Sequence, residues 1–183
     1  MTMSPTKEGP RPRRRARRLI LGMVLLAAGA ALAALFERPL FHGNFGVVEP
    51  GVVYRAAQPK GNVGELFDSL KIASVLNLRG GSRLDDWYVA EVQAAAKRGI
   101  DFYDLPMSAT QRPPRKVLLQ IARILRTCKY PMLIHCKSGA DRTGLAAGMY
   151  LLVKKSLAPD QAETAFSLTY GHIPLTGPER LHA

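Results

Sequence analysis

The chain has 183 residues, 47% of them apolar and 22% charged, with a formal net charge of +12. That is one domain's length with ample apolar material for a core, which excludes a wholly disordered chain. The charge is lopsided: residues 1–18 hold seven of the 26 basic residues (Lys7, Arg11, Arg13, Arg14, Arg15, Arg17 and Arg18) against one acid, Glu8.

An arginine run alone would suggest a nucleic-acid-binding tail. Here it precedes residues 19–36, an uncharged apolar stretch of 18 residues at the lower edge of what spans a bilayer. The positive flank predicts a cytoplasmic N-terminus and an extracytoplasmic (periplasmic) remainder, single-pass. A cleaved signal peptide with a small-residue site such as Ala31-Leu32-Ala33, giving a secreted protein, is the alternative. The expected layout is a basic N-terminus at 1–18, a transmembrane or signal-anchor segment at 19–36, a linker at 37–50 and one folded domain at 51–178.

Residues 38–51 carry Pro39, Gly43, Gly46, Pro50 and Gly51 as punctuation. A first strand is predicted over 52–55. Asn62 with Glu65 three residues later predicts a capped helix running to Leu70. A strand over 73–78 ends at Arg79-Gly80-Gly81. Asp85 and Asp86 open a helix that runs to Lys97-Arg98 and stops at Gly99, with acids first and bases last as the helix dipole favours. Trp87 on that helix is expected in the core. A strand at 100–105 and a loop at 106–114 lead to a helix opened by Pro113-Pro114, with Val117, Leu118, Ile121, Ile124 and Leu125 on one face. A strand at 130–134, a helix through Val153 and a last helix over 159–170, closed by Gly171, complete the pattern. Strands alternating with helices predict an α/β domain with a central, mainly parallel sheet flanked by helices. Its site belongs at the carboxyl ends of the strands.

Ile134-His135-Cys136-Lys137-Ser138-Gly139-Ala140-Asp141-Arg142-Thr143-Gly144 falls at such an end. A glycine-bearing loop between strand and helix points backbone N–H groups inward, and the helix adds its positive dipole end, together a site for a phosphate-like dianion. Arg142 adds a planar fork of donors, and the same field favours a thiolate at Cys136. Extended chain between Cys128 and Cys136 separates them too far for a disulfide, so Cys136 is read as a free reactive thiol and Cys128 as an ordinary buried residue. The four histidines (42, 135, 172 and 182) are scattered and form no metal-ligand cluster, so no metal or cofactor is expected.

His-Cys, five residues, then Arg-Thr-Gly resembles the signature loop of the cysteine-based protein tyrosine and dual-specificity phosphatases. Tyr54-Arg55-Ala56-Ala57-Gln58-Pro59 is similar to a phrase near the start of the catalytic domain in bacterial and fungal members. The resemblance implies a dual-specificity-phosphatase-like fold and phosphomonoester hydrolysis in two steps. Cys136 attacks phosphorus, Arg142 and the amides of Lys137, Ser138, Gly139, Ala140 and Asp141 hold the oxygens, and water cleaves the phosphocysteine. Thr143 matches the hydroxyl residue assisting the thiolate, and His135 the residue orienting the loop. Arg55 is open between substrate contact and a structural ion pair.

The family's upstream general-acid Asp is missing: the loop after the strand ending near Leu105 reads Pro106-Met107-Ser108-Ala109-Thr110-Gln111-Arg112. Asp141 is one candidate, since Cys-x-x-Gly-x-Asp-Arg-Thr is similar to myotubularin lipid phosphatases and some bacterial tyrosine phosphatases that act on lipids. It otherwise orients the loop or pairs with a base such as Arg79. Asp104 is the other candidate acid. Lys137 matches a basic position in phosphoinositide-cleaving relatives, whose second base corresponds to Ala140 here. Expected substrates are phosphorylated proteins, first of all on tyrosine, with phosphoinositides, other phospholipids or inositol phosphates as the alternative. An inactive phosphate-binding module is the reading from another class. The expected partners are that substrate and, through residues 19–36, the membrane, with no nucleic acid and a monomeric chain.

Overall fold

Met132–Cys136 (β5) has all five residues buried, because it lies mid-sheet with neighbours on both sides and helices on both faces. The computed structural model describes residues 12–172, which divide into two units between Leu35 and Phe36. The second holds a five-stranded sheet of β1 (Gly46–Glu49), β2 (Val53–Ala57), β3 (Ser74–Asn77), β4 (Asp101–Asp104) and β5, in the order β1-β2-β5-β3-β4. Only β1 runs against its neighbour, β2; the other pairs are parallel. A mainly parallel α/β sheet is therefore observed.

Alternation along β5 sorts the core into two layers. Met132, Ile134 and Cys136 pack with Ile121 and Leu125 of α4 (Arg115–Thr127) and with Ala146 and Tyr150 of α5 (Asp141–Val153). Leu133 packs on the opposite face with Phe67 of α2 (Val63–Ser69) and Ala95 of α3 (Asp86–Ala96). Asn62 caps α2 as expected: its Oδ1 accepts from the Glu65 N–H at 3.3 Å and its Nδ2 donates to Glu65 Oε1 at 2.7 Å. Asp85 precedes α3 and accepts from the Ser82 hydroxyl and N–H, which hold its carboxyl below the usual range.

Three expectations are corrected. The segment read as a linker, 37–50, contains the end of a helix and a strand: α1 runs from Pro12 to Phe41, and Gly46–Glu49 pairs with β2 across a turn at Gly51 (φ 72°). The last helix is broken. Pro159–Ala162 (α6) passes into 3-10 turns at Glu163–Ala165 and Leu168–Tyr170, with Phe166 and Ser167 extended between them. Trp87 is not in the core; it is half-buried beside Arg79, whose guanidinium lies 3.9 Å from its ring centroid.

In the first unit, Ala16–Ala34 within α1 is apolar and exposed throughout. Among the described residues it is the one helix long and apolar enough to cross a membrane, two to three residues N-terminal of the span read from sequence.

Candidate active site

Parallel pairing brings four strand ends to one edge: Ala57 lies opposite Cys136, and Asn77 opposite both His135 and Asp104. At the centre of that edge the chain leaves β5 at Cys136, turns through residues 137–140 and enters α5 at Asp141. Gly139 makes the turn possible. Its φ is 74°, and a Cβ there would sit 2.5 Å from the Ala57 nitrogen, so neither the backbone angle nor the space admits a side chain.

The loop is held from outside through its carbonyls. The Gln58 N–H donates to Lys137 O at 3.3 Å, Asn44 Nδ2 to Ser138 O at 2.8 Å, and Arg55 Nη2 to Gly139 O at 2.8 Å and Ala140 O at 3.3 Å. In a trans peptide, C=O and the next N–H point opposite ways. Four carbonyls fixed outward therefore turn the N–H groups of Ser138, Gly139, Ala140 and Asp141 inward, a nest for an anion. The Gly139 N–H points at Cys136 Sγ, at 3.2 Å.

Arg55 also serves the loop from outside. It is buried, stacks 3.7 Å from the Tyr170 ring centroid, and also donates to Ala165 O. By bonding the carbonyls of Gly139, Ala140 and Ala165 together, it fastens the loop to the 3-10 segments. Asn44 does the same by donating its second amide hydrogen to Tyr170 O at 2.8 Å.

Asp104 lies at the end of β4, whereas the residues picked out from His135 to Thr143 fall in or against this loop. Cys136 lies at its base, 1% exposed; Lys137 and Ser138 are exposed on its rim; Gly139 and Ala140 are buried in its wall. Arg142, in the first turn of α5, donates Nη1 to Leu78 O at 3.3 Å and Met107 O at 3.1 Å, tying the loop to the segments that leave β3 and β4. Thr143 is fully buried, and its hydroxyl has no partner among the described residues. His135 points to the α3 side, where its Nε2 lies 2.9 Å from Glu91 Oε1; both side chains are essentially inaccessible. Glu91 Oε2 accepts from Gln58 Nε2 at 2.8 Å, so one buried carboxylate lies against both Gln58 and His135.

Asp141 does not pair with Arg79. Its Oδ1 lies 2.7 Å from Nδ1 of His172, whose ring packs on Phe166. Asp104 uses both oxygens as acceptors, from Asn77 Nδ2 at 3.0 Å and from the Tyr88 hydroxyl at 2.9 Å. Burial first, then Asp104 itself, raises the Tyr88 phenol, which keeps the proton it donates.

Two cavities open on either side of Lys137. One, of about 520 Å³, is bounded by Lys60, Arg79, Trp87, Gln58 and Glu91; the other, of about 570 Å³, by His42, Phe45, Leu66 and Ser138. Among the described residues no cluster of three or more His, Cys, Asp or Glu is placed to hold a metal ion.

Sequence reasoning missed Asn44, Gln58, Glu91 and His172 as parts of the site. Asn44 next to Gly43 was a visible signal, since Asn tolerates the positive φ (50°) that it adopts here. Glu91 sits mid-helix with nothing to mark it as buried.

The family model for PTP-SAK, the Swiss Army Knife protein DSP-PTPase phosphatase domain, matches residues 42–175, more than half of the chain. Inositol diphosphatase DSP4 of Arabidopsis thaliana is 29% identical over 119 residues; these cover 62% of this chain and 56% of that protein, so the chain spans little more than half the length of this relative. Among solved structures, the core catalytic domain of the PP-IP phosphatase SIW14 from S. cerevisiae, in complex with citrate, has a TM-score of 0.53 at 24% identity, covering 72% of this chain and 86% of that one. P. aeruginosa TpbA in complex with pTyr has a TM-score of 0.52 at 20% identity, covering 75% and 83%. Both likenesses are of fold.

Proposed function

The chain belongs to the PTP-SAK family of DSP-PTPase phosphatase domains, and we propose that it hydrolyses phosphomonoesters through a phosphocysteine at Cys136. The observation that carries this is the nest of inward N–H groups closing over Cys136 Sγ. In the first step the Cys136 thiolate attacks phosphorus; the S–P bond forms as the ester P–O bond breaks, and the leaving oxygen takes a proton from Asp141. Amides 138–141 and Arg142 stabilise the charge on the three transferring oxygens. In the second step Asp141 takes a proton from water, whose oxygen attacks phosphorus; the S–P bond breaks and inorganic phosphate leaves. Asp141 is assigned the proton because Asp104 already accepts two hydrogen bonds. Thr143, whose buried hydroxyl has no partner among the described residues, serves the departing thiolate.

For the substrate, Lys60, Arg79 and Lys137 around one cavity favour a compact molecule bearing several phosphates, an inositol phosphate or a phosphoinositide headgroup. The name of the Arabidopsis relative agrees with this. Phosphotyrosine, the first expectation from sequence, is the second reading; the rim position of Lys137, beside an open cavity, suits a peptide-borne phosphate too. Residues 19–36 are read as a membrane anchor with the N-terminus cytoplasmic and the phosphatase unit extracytoplasmic.

Hydrolysis of an aryl phosphate by the full chain in mild detergent tests the chemistry: turnover must be present and must vanish in Cys136→Ser. Absence of turnover, or its survival in that variant, overturns the reading. Inositol polyphosphates, phosphoinositides and phosphotyrosyl peptides are then compared by kcat/KM. Arg79→Ala and Lys60→Ala should each raise KM for a polyphosphorylated substrate by about tenfold, a lost charge-assisted contact, and leave the aryl phosphate nearly unchanged.

A further inference from the structure

From residue 105 to residue 140 the chain contains no aspartate or glutamate, while Arg112, Arg115, Lys116, Arg123, Arg126, Lys129 and Lys137 all fall there. Helix α4 organises most of this charge. Ile121, Ala122 and Leu125 are buried on its inner face. At about 100° per residue, Arg115, Lys116, Leu119, Arg123 and Arg126 share one outer stripe, and all five are exposed. Leu119, at the middle of the stripe, is 59% exposed.

Three exposed cations elsewhere in the domain have an acid beside them: Arg98 pairs with Asp68, Lys129 with Asp101 and Lys155 with Glu49. Among the described residues the four cations on the α4 stripe enter no ion pair and no cation–ring contact. Four like charges held within one helix face, with no counter-charge, repel one another and lower the stability of the isolated domain. An external anionic surface relieves that repulsion.

We propose that the outer face of α4 docks on a bilayer carrying anionic lipid. Leu119 selects this partner over nucleic acid: a phosphate backbone offers nothing to an exposed leucine ringed by cations. A membrane interface takes the leucine into the acyl boundary while Arg and Lys stems reach the headgroups. The tether supplies the rest. The apolar segment of α1 ends at Ala34 and the second unit begins at Phe36, so anchoring raises the effective concentration of bilayer available to the second unit, and weak contacts suffice. The inference uses the anchor reading but not the hydrolytic one.

The test places a reporter at the centre of the stripe. Full-length Leu119→Trp is reconstituted into nanodiscs with brominated acyl chains, made either of neutral phosphatidylcholine or with phosphatidylglycerol added. The unmodified chain, whose one tryptophan is Trp87, is the background. Quenching at position 119 should be at least about twofold stronger in anionic discs, and should fade toward 1 M salt, where the Debye length falls to about 3 Å. It should also be lost in Leu119→Trp carrying Arg115→Glu, Lys116→Glu, Arg123→Glu and Arg126→Glu. Aryl phosphate turnover and a melting curve check that this variant folds. Equal quenching in both discs, no quenching in either, or quenching indifferent to the charge reversal overturns the proposal. Displacement from anionic discs by an oligonucleotide at matched phosphate concentration overturns it in favour of nucleic acid. Failure of the chain to remain with neutral discs would sink the anchor instead; the same quenching comparison with free chain and vesicles then judges α4 alone.

Discussion

At the scale of single residues, Asp141 stands in the first turn of α5 with its Oδ1 2.7 Å from His172 Nδ1, and the proposed mechanism draws a proton from it. An Asp141→Asn variant should therefore show a leaving-group signature. Turnover of alkyl or tyrosyl phosphates should fall by about 10²–10⁴-fold, the usual worth of a general acid, while p-nitrophenyl phosphate is largely spared. Equal loss on both substrates would make Asp141 a loop-orienting residue, and a leaving-group-dependent loss in Asp104→Asn would move the acid upstream. His172 is a positioning residue on this account. His172→Phe keeps the ring packing on Phe166 but removes the contact to Asp141, so it should give a smaller loss with the same dependence on leaving group. In the Asp141→Asn background it should add almost nothing, because coupled residues are not additive; full additivity would separate the two. Cys136, Arg142 and Thr143 were legible because the loop that carries them is local in sequence. His172 reaches Asp141 from 31 residues away, and Asn44 reaches Ser138 from 94. No periodicity or spacing encodes such pairs; only the folded chain brings them together.

At the scale of elements, the phosphate loop is rigid because neighbours over-determine it. Gly139→Ala forces a Cβ to 2.5 Å from the Ala57 nitrogen and strains a φ of 74°. It should destabilise the domain by about 1–3 kcal/mol and abolish phosphate binding even where the domain still folds, measured by melting and by orthovanadate inhibition. Strand β1 is fastened to α5 by one carboxylate: Tyr150 donates its hydroxyl to Glu49 Oε2, and Lys155 Nζ lies 2.9 Å from Oε1. These contacts, the Tyr150 bond first, hold the Glu49 carboxyl below its ordinary value. A lowered pKa means stability that is present above the unfolded value of about 4.3 and is lost as pH falls through the folded one. Glu49→Gln should therefore lower the melting temperature at neutral pH and converge with the parent protein below about pH 4; a constant difference across that window would exclude the charge as its source. The capped helix α2, the acid-led α3 and the one-faced α4 were legible because caps and periodicity are local. β1 was not: four residues between Gly43 and Pro50 read as linker, and only pairing with β2 makes them a strand. The break after Ala165 was hidden for the same reason. Ala165 O accepts from Arg55, 110 residues away, instead of from the next turn of a helix.

At the scale of the whole molecule, the two units have separate physical grounds for existing. The phosphatase unit closes its own core: the buried clusters around β5 draw on residues from Val53 to Tyr150 and none from α1. The side chains of residues 16–34 are exposed throughout, so deleting them removes no buried contact described in the domain. A chain lacking residues 1–40 should consequently be soluble, keep the aryl phosphate kcat of the full chain and melt at nearly the same temperature. A large loss of stability would mean that the first unit packs on the second. On the proposed anchor reading, orientation is a question of charge. Six more basic than acidic residues precede the apolar segment, and only Glu37 and Arg38 follow it at once; the cost of translocating cations is the ground for proposing a cytoplasmic N-terminus. A C-terminal alkaline phosphatase fusion should be active and a C-terminal fluorescent fusion dark. The reverse pair of results would place the phosphatase unit in the cytoplasm, and loss of residues 1–33 from the mature chain, read by mass spectrometry, would show cleavage. Replacing Arg13, Arg14, Arg15, Arg17 and Arg18 by glutamine makes the argument causal: it removes most of the asymmetry without touching the apolar segment or the domain. If charge sets the orientation, that variant should give mixed topology, with both fusions partly active; an unchanged alkaline phosphatase signal would mean that the apolar segment alone directs it.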